Sequence, residues 1–177
     1  EYFLIVSRLV PYKRIDLAVE AFNELRLPLV IIGDGPERQK LQSMAKSNIK
    51  LLGRQTDEVI KEYYAKCRAF IFPGEEDFGI TPLEAQASGR PVIAFGKGGV
   101  LETVVEGETG IFFKEQTVKS LKEAVVNFNR YRFDKFKIRK HAEKFDEEIF
   151  KQKIKQYVEY CYEEHKVKIN SFRVFGD

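Results

Sequence analysis

Short apolar runs recur along the first two thirds of the chain, at 2–6, 28–32, 49–52, 69–72, 91–94 and 110–113. They are apolar throughout instead of alternating with polar positions, the pattern of parallel strands covered on both faces. Between the first two runs, Ile15, Ala18, Val19, Phe22 and Leu25 follow the spacing of one buried helical stripe. Helices are also predicted near 36–47, 56–66, 82–88 and 117–128. Strand and helix alternating in this way predict an α/β domain, a Rossmann-like doubly wound parallel sheet with right-handed crossovers.

After residue 130 the strand pattern stops. Residues 134–165 read as two Lys/Glu-rich helices, with Phe145, Ile149, Phe150, Ile154, Tyr157, Val158 and Cys161 marking a buried seam. The tail, 166–177, has no clear period. No linker divides the chain, and its 177 residues suffice for one good core. The expected organisation is a single domain over 1–177, with a core over 1–130, C-terminal helices over 131–165 and the tail beyond. Because the first strand begins almost at once, the chain is expected to be part of a longer protein.

A net charge of +3 is too small to make nucleic acid the main partner. From Lys114 onward, however, 16 Lys and Arg stand against 11 Asp and Glu, so this stretch carries +5 and the rest −2. That excess suits a phosphate-rich substrate or a peripheral membrane contact, although solvated helix faces are the plainer reading. No apolar run approaches the ~20 residues of a membrane span. Cys67 and Cys161 are the only cysteines and lie far apart, which fits a reducing compartment and predicts a cytoplasmic location, extended at most to the cytoplasmic face of a membrane.

The residues following the predicted strands carry the chemistry, because open parallel sheets bind ligands beyond the carboxyl ends of their strands. The first strand leads into Ser7-Arg8-Leu9-Val10-Pro11-Tyr12-Lys13, the second into Gly33-Asp34-Gly35-Pro36 and the third into Gly53-Arg54. The fourth leads into the segment from Pro73 to Thr81, and the fifth ends in Phe95-Gly96-Lys97-Gly98-Gly99. Arg8, Lys13, Arg54 and Lys97 thus collect at one rim with most of the glycines, an arrangement suited to phosphate. Pro82 fits a first helical position with Thr81 as its cap, and such a helix start offers N–H groups and a positive dipole end to a diphosphate.

Glu76 and Glu84, separated by seven residues, resemble the E-x7-E motif of retaining glycosyltransferases of the GT-B fold, family 4, the group 1 glycosyl transferases. The resemblance extends to Ser7-Arg8-Leu9 with Lys13, Gly33-Asp34-Gly35-Pro36, Gly89-Arg90-Pro91-Val92, Gly98-Gly99 with Glu102, and Glu106-Gly107-Glu108-Thr109-Gly110, so it covers about 2–126. It implies the C-terminal, donor-binding half of such an enzyme, with the N-terminal acceptor domain as a missing partner. It further implies that the substrate is a nucleotide-diphosphate sugar, with GDP-mannose the best guess from family frequency, and that no separate cofactor is needed. Arg8 and Lys13 would bind the diphosphate and Glu84 the ribose. Glu76, Phe78, Gly79 and Ile80 would contact the sugar, with Thr81 and Leu83 at the helix start, and Gly33 and Arg54 would line the base pocket. Arg8, Lys13 and Glu76 are the catalytic candidates. An acceptor-free domain is expected to bind donor without transferring it.

Local readings compete with some of these roles. Thr81-Pro82-Leu83-Glu84 also spells a capping box, in which Glu84 folds back onto the Thr81 N–H. Gly33-Asp34-Gly35 is no dinucleotide fingerprint, since Arg38 stands where the third small residue belongs. Cys161 and His165 share a helix face, but two ligands make no zinc site, so no metal is expected. A non-catalytic nucleotide-sugar-binding module and a sugar-nucleotide epimerase of the same shape stay open as alternatives.

Overall fold

Each predicted apolar run forms a strand: β1 (Phe3–Val6), β2 (Leu29–Ile32), β3 (Ile49–Gly53), β4 (Ala69–Phe72), β5 (Val92–Phe95) and β6 (Gly110–Phe113). The computed structural model describes residues 1–174, with side chains as far as Lys166. All the strands pair in parallel, in the order β3-β2-β1-β4-β5-β6. The helices are α1 (Ile15–Leu25), α2 (Arg38–Met44), α3 (Asp57–Lys66), α4 (Ile80–Ala87), α5 (Val100–Thr103), α6 (Val118–Asn127), α7 (Lys135–Ala142) and α8 (Glu147–Val174).

The pleat sends successive side chains to opposite faces, and both faces are apolar because both are covered. Phe3, Ile5, Leu29, Ile31, Ile71, Ile93, Ile111 and Phe113 join Ala18, Phe22, Leu121 and Val125 of α1 and α6 in one buried layer. Leu4, Val30, Ile32, Phe70, Phe72, Val92 and Ala94 form the other, with Tyr64 of α3, Ala85 of α4 and Val100 of α5. α7 adds Ile138 and Ala142 to the buried residues and packs against α4.

Three expectations need correction. The helix after β4 begins at Ile80 with Gly79 as its N-cap, so Thr81 lies inside the first turn and makes no cap. Pro82 is tolerated there because N–H groups of a first turn have no intrahelical partner to lose. Phe145 of the expected seam is half-buried, but its continuation on α8 is exposed, not buried: Phe150 is 63% exposed, Ile154 44%, Tyr157 65% and Val158 58%, and Cys161 is exposed as well. Periodicity selects the residues that share a stripe but says nothing about what covers it. Here residues 1–142 form one compact unit and a second begins at Glu143, in which the 28-residue α8 packs mainly on the single turn Glu143–Phe145. Lastly, α8 continues through the expected tail to Val174, and residues 175–177 lie outside the described residues.

Phe22 is fully buried, with its ring centroid 5.1 Å from that of Phe3. Phe22→Ala is therefore expected to destabilise the first unit by about 3–5 kcal/mol, read from urea denaturation. A change below about 1 kcal/mol would show that this layer closes around the cavity.

Candidate functional site

β1 lies between β2 and β4 in the sheet, so the chain reverses its direction of winding there. The segment leaving β1 runs to α1 on one face, whereas the segment leaving β4 runs to α4 on the other. The two loops part and open a cleft at the carboxyl ends of β1 and β4, the topological switch point of a doubly wound sheet. The cleft measures about 610 Å³ and is lined by Ser7, Arg8, Tyr12 and Lys13 from the first loop and by residues 76–81 from the second.

Seven of the predicted site residues therefore meet: Arg8, Lys13, Glu76, Phe78, Gly79, Ile80 and Thr81. Gly33, Arg54, Leu83 and Glu84 are not among the lining residues. Arg54 is exposed beyond β3, Leu83 is half-buried, and Glu84 is exposed one turn into α4. Gly33 has a structural task, since a Cβ there would lie 1.8 Å from the Ser7 carbonyl oxygen. Its missing side chain lets the loop after β2 lie against the backbone of the first cleft loop, which is also held by Leu9 N–H donating to the Asp34 carbonyl at 2.9 Å.

The second cleft loop is braced from two sides. Gly99 N–H donates to the Glu76 carbonyl at 2.8 Å. A Cβ on Gly99 would lie 2.1 Å from the Asp77 carbonyl oxygen, so only glycine permits this approach. From the other side the Gln116 amide donates to the Pro73 carbonyl at 2.9 Å and accepts from the Arg14 guanidinium at 3.2 Å. The tethers to Gln116 and Arg14 span distant parts of the chain, and no local pattern announces them.

Charge in the cleft is arranged around one ion pair and one helix end. The Lys13 ammonium pairs with the Glu76 carboxylate, both side chains being largely buried. Burial holds the Lys13 pKa below its ordinary value. The Lys13 nitrogen also stands 5.2 Å from the centre of the Tyr12 ring. Arg8 is exposed and its guanidinium has no ion-pair partner among the described residues. No side chain caps the N-terminus of α4, so its positive end faces the cleft through Gly79, Ile80 and Thr81. Two cations and an uncapped helix start thus converge on a volume that Glu76 and Asp77, two carboxylates, also line.

Glu84 does not close the capping box. Its Oε2 accepts a hydrogen bond from the Tyr64 hydroxyl of α3 at 2.9 Å. Tyr64 is buried, and burial together with the Glu84 charge raises the pKa of its hydroxyl, keeping it a neutral donor. Ser7, Tyr12 and Asp77 of the lining, and Tyr64 behind Glu84, are not among the residues that the strand ends and the family resemblance single out as site residues. Ser7, Tyr12 and Asp77 lie on the loops that follow β1 and β4, whereas Tyr64 carries no local signal that sets it apart from any buried helix residue.

The family Glycosyl transferases group 1 matches residues 1–152, and the chain belongs to it. An uncharacterised glycosyltransferase of Methanocaldococcus jannaschii is 30% identical over 128 residues, covering 70% of this chain and 36% of that protein. A GDP-mannose-dependent alpha-mannosyltransferase of Mycolicibacterium smegmatis is 41% identical over 108 residues, covering 60% of this chain and 28% of that protein. The chain thus spans well under half the length of these curated relatives. Among solved structures, HepE of Anabaena in complex with UDP superposes with a TM-score of 0.75 at 20% identity, over 90% of this chain and 49% of that one. The fold is the Rossmann-like α/β fold found in GT-B glycosyltransferases.

Gly99→Ala drives a methyl group into the Asp77 carbonyl. Overpacking of this kind costs about 1–3 kcal/mol, so a lowered unfolding midpoint and faster amide exchange across residues 75–79 are expected. Wild-type values for both would mean that the loop yields freely.

Proposed function

We propose that this chain is the donor-binding domain of a glycosyltransferase, and that the cleft between the β1 and β4 loops receives the diphosphate of a nucleotide sugar. The observation that carries the reading is the convergence of Arg8, Lys13 and the uncapped start of α4 on that cleft. Fixed positive charge at a site of developing negative charge is what departure of a nucleoside diphosphate requires. Lys13 begins the cycle paired with Glu76, and the diphosphate replaces that carboxylate as its partner. Glu76 is then released to orient the sugar, whose hydroxyls also meet the backbone at Phe78, Gly79 and Ile80. Arg8 supplies a second cation that needs no prior partner to be broken.

Glu84 holds the ribose, and the loops carrying Gly33 and Arg54 supply the base pocket on the β2 side of the sheet. Thr81 and Leu83 belong to the helix turn that faces the phosphates. The mannosyltransferase named GDP-mannose-dependent among the relatives supports GDP-mannose as the donor, and the UDP complex of HepE supports a nucleoside diphosphate at this fold. The E-x7-E resemblance supports retention at the anomeric carbon, and we assign the acceptor hydroxyl to a second, N-terminal domain.

Arg8→Ala and Lys13→Ala are expected to weaken GDP binding at least ten-fold while leaving guanosine binding nearly unchanged, by calorimetry. A hydrogen bond to a charged phosphate contributes about 1.5–3 kcal/mol, which sets that scale. Equal losses for GDP and guanosine would remove both residues from the diphosphate site. The same chain mixed with GDP-mannose and a range of acceptor glycans is expected to transfer no sugar, and turnover by these residues alone would overturn the assignment of the acceptor to a second domain.

A further inference from the structure

Glu84 is a long, exposed side chain near the start of a helix, and two places compete for its carboxylate. One is the N–H groups of its own first turn; the other is the space beside the cleft. Tyr64 decides between them. It is 2% exposed, packed with its ring centroid 5.6 Å from that of Phe70, and so anchored in the core layer shared by α3 and α4. Its hydroxyl faces two acceptors on α4, Glu84 Oε2 at 2.9 Å and the Thr81 carbonyl oxygen at 3.3 Å. A phenol has one proton to give, and the charged, nearer oxygen takes it.

We propose that Tyr64 is a positioning residue for ribose recognition, acting through Glu84, an inference that rests on the donor-binding reading above. The bond holds one carboxylate oxygen and thereby orients the other. Oε1 has no partner among the described residues, and Oε2 keeps a lone pair, so two vicinal hydroxyls still find acceptors. A glutamate held in one rotamer before binding loses less side-chain entropy when the ligand arrives. Held this way, it also leaves the amides at the start of α4 to the phosphates.

The test is a binding cycle on the whole chain with GDP and UDP, each compared with its 2′-deoxy counterpart by calorimetry. Wild type is expected to prefer the ribonucleotide. Tyr64→Phe removes one buried hydroxyl and keeps the ring, and it is expected to cut that preference by roughly ten-fold, the scale of a hydrogen bond to a charged group. Glu84→Gln is expected to lower the same preference, and adding Tyr64→Phe to it should change the preference no further, because the two act as one unit. A merely structural tyrosine would weaken ribo and deoxy forms alike, and that outcome overturns the proposal while the donor reading stands. Wild type that binds GDP or UDP without regard to the 2′-hydroxyl overturns the ribose role of Glu84 and this inference together. Binding of neither nucleotide overturns the donor reading itself. A crystal structure of wild type with the bound nucleotide decides independently of any variant: a retained Tyr64–Glu84 bond with Oε1 on the ribose supports the proposal, and a broken bond overturns it.

Discussion

The parallel pairing of β1 with β4, which sets Phe3 beside Ala69 and Leu4 beside Phe70, is the contact on which the site depends. It joins two half-sheets wound in opposite directions, so the chain leaves one strand for one face of the sheet and the other strand for the opposite face. Right-handed crossovers leave no alternative once the strand order is set. The loops at that junction are forced apart, and the crevice between them is lined by residues of both. Burial of both sheet faces supplies the free energy that holds the junction closed below the loops.

Leu9 anchors the first of these loops in the core, and backbone and side-chain amides brace both. The segment after β4 is gripped by Gly99 on one side and Gln116 on the other, and the segment after β1 rests on Gly33 and Asp34. Such bracing fixes the position of charged side chains without neutralising them. One cation, Lys13, is held in a pair with Glu76, while Arg8 is exposed to solvent. The glutamates at the two ends of the E-x7-E spacing are treated differently: Glu76 is paired to a cation, and Glu84 accepts from a buried phenol.

The strands and the helices of the first 130 residues were legible because each carries its own signal, an apolar run or a helical stripe, that survives without knowledge of its neighbours. The one-turn α5 was not, since four residues are too few to show a period. The apolar stripe on α8 illustrates the limit from the other side. Ile154, Tyr157 and Val158 have the spacing of a packed seam, yet within their own unit they are exposed. Position along a helix specifies which residues share a face, but burial depends on whether another element lies against that face.

The site divides along the same line. Strand ends, glycines and the spacing of Glu76 and Glu84 sit on contiguous segments, so the sequence alone determined the α/β class, the loops that line the cleft, and the family resemblance. Whether Glu84 caps its helix was undecidable locally, because the deciding donor, Tyr64, lies 20 residues earlier in another helix. The tertiary structure also decided that Lys13 and Glu76, 63 residues apart, form an ion pair, and that the ends of β1 and β4 share one cleft. These outcomes depend on strand order and on which face each helix covers, quantities that arise only when distant segments pack.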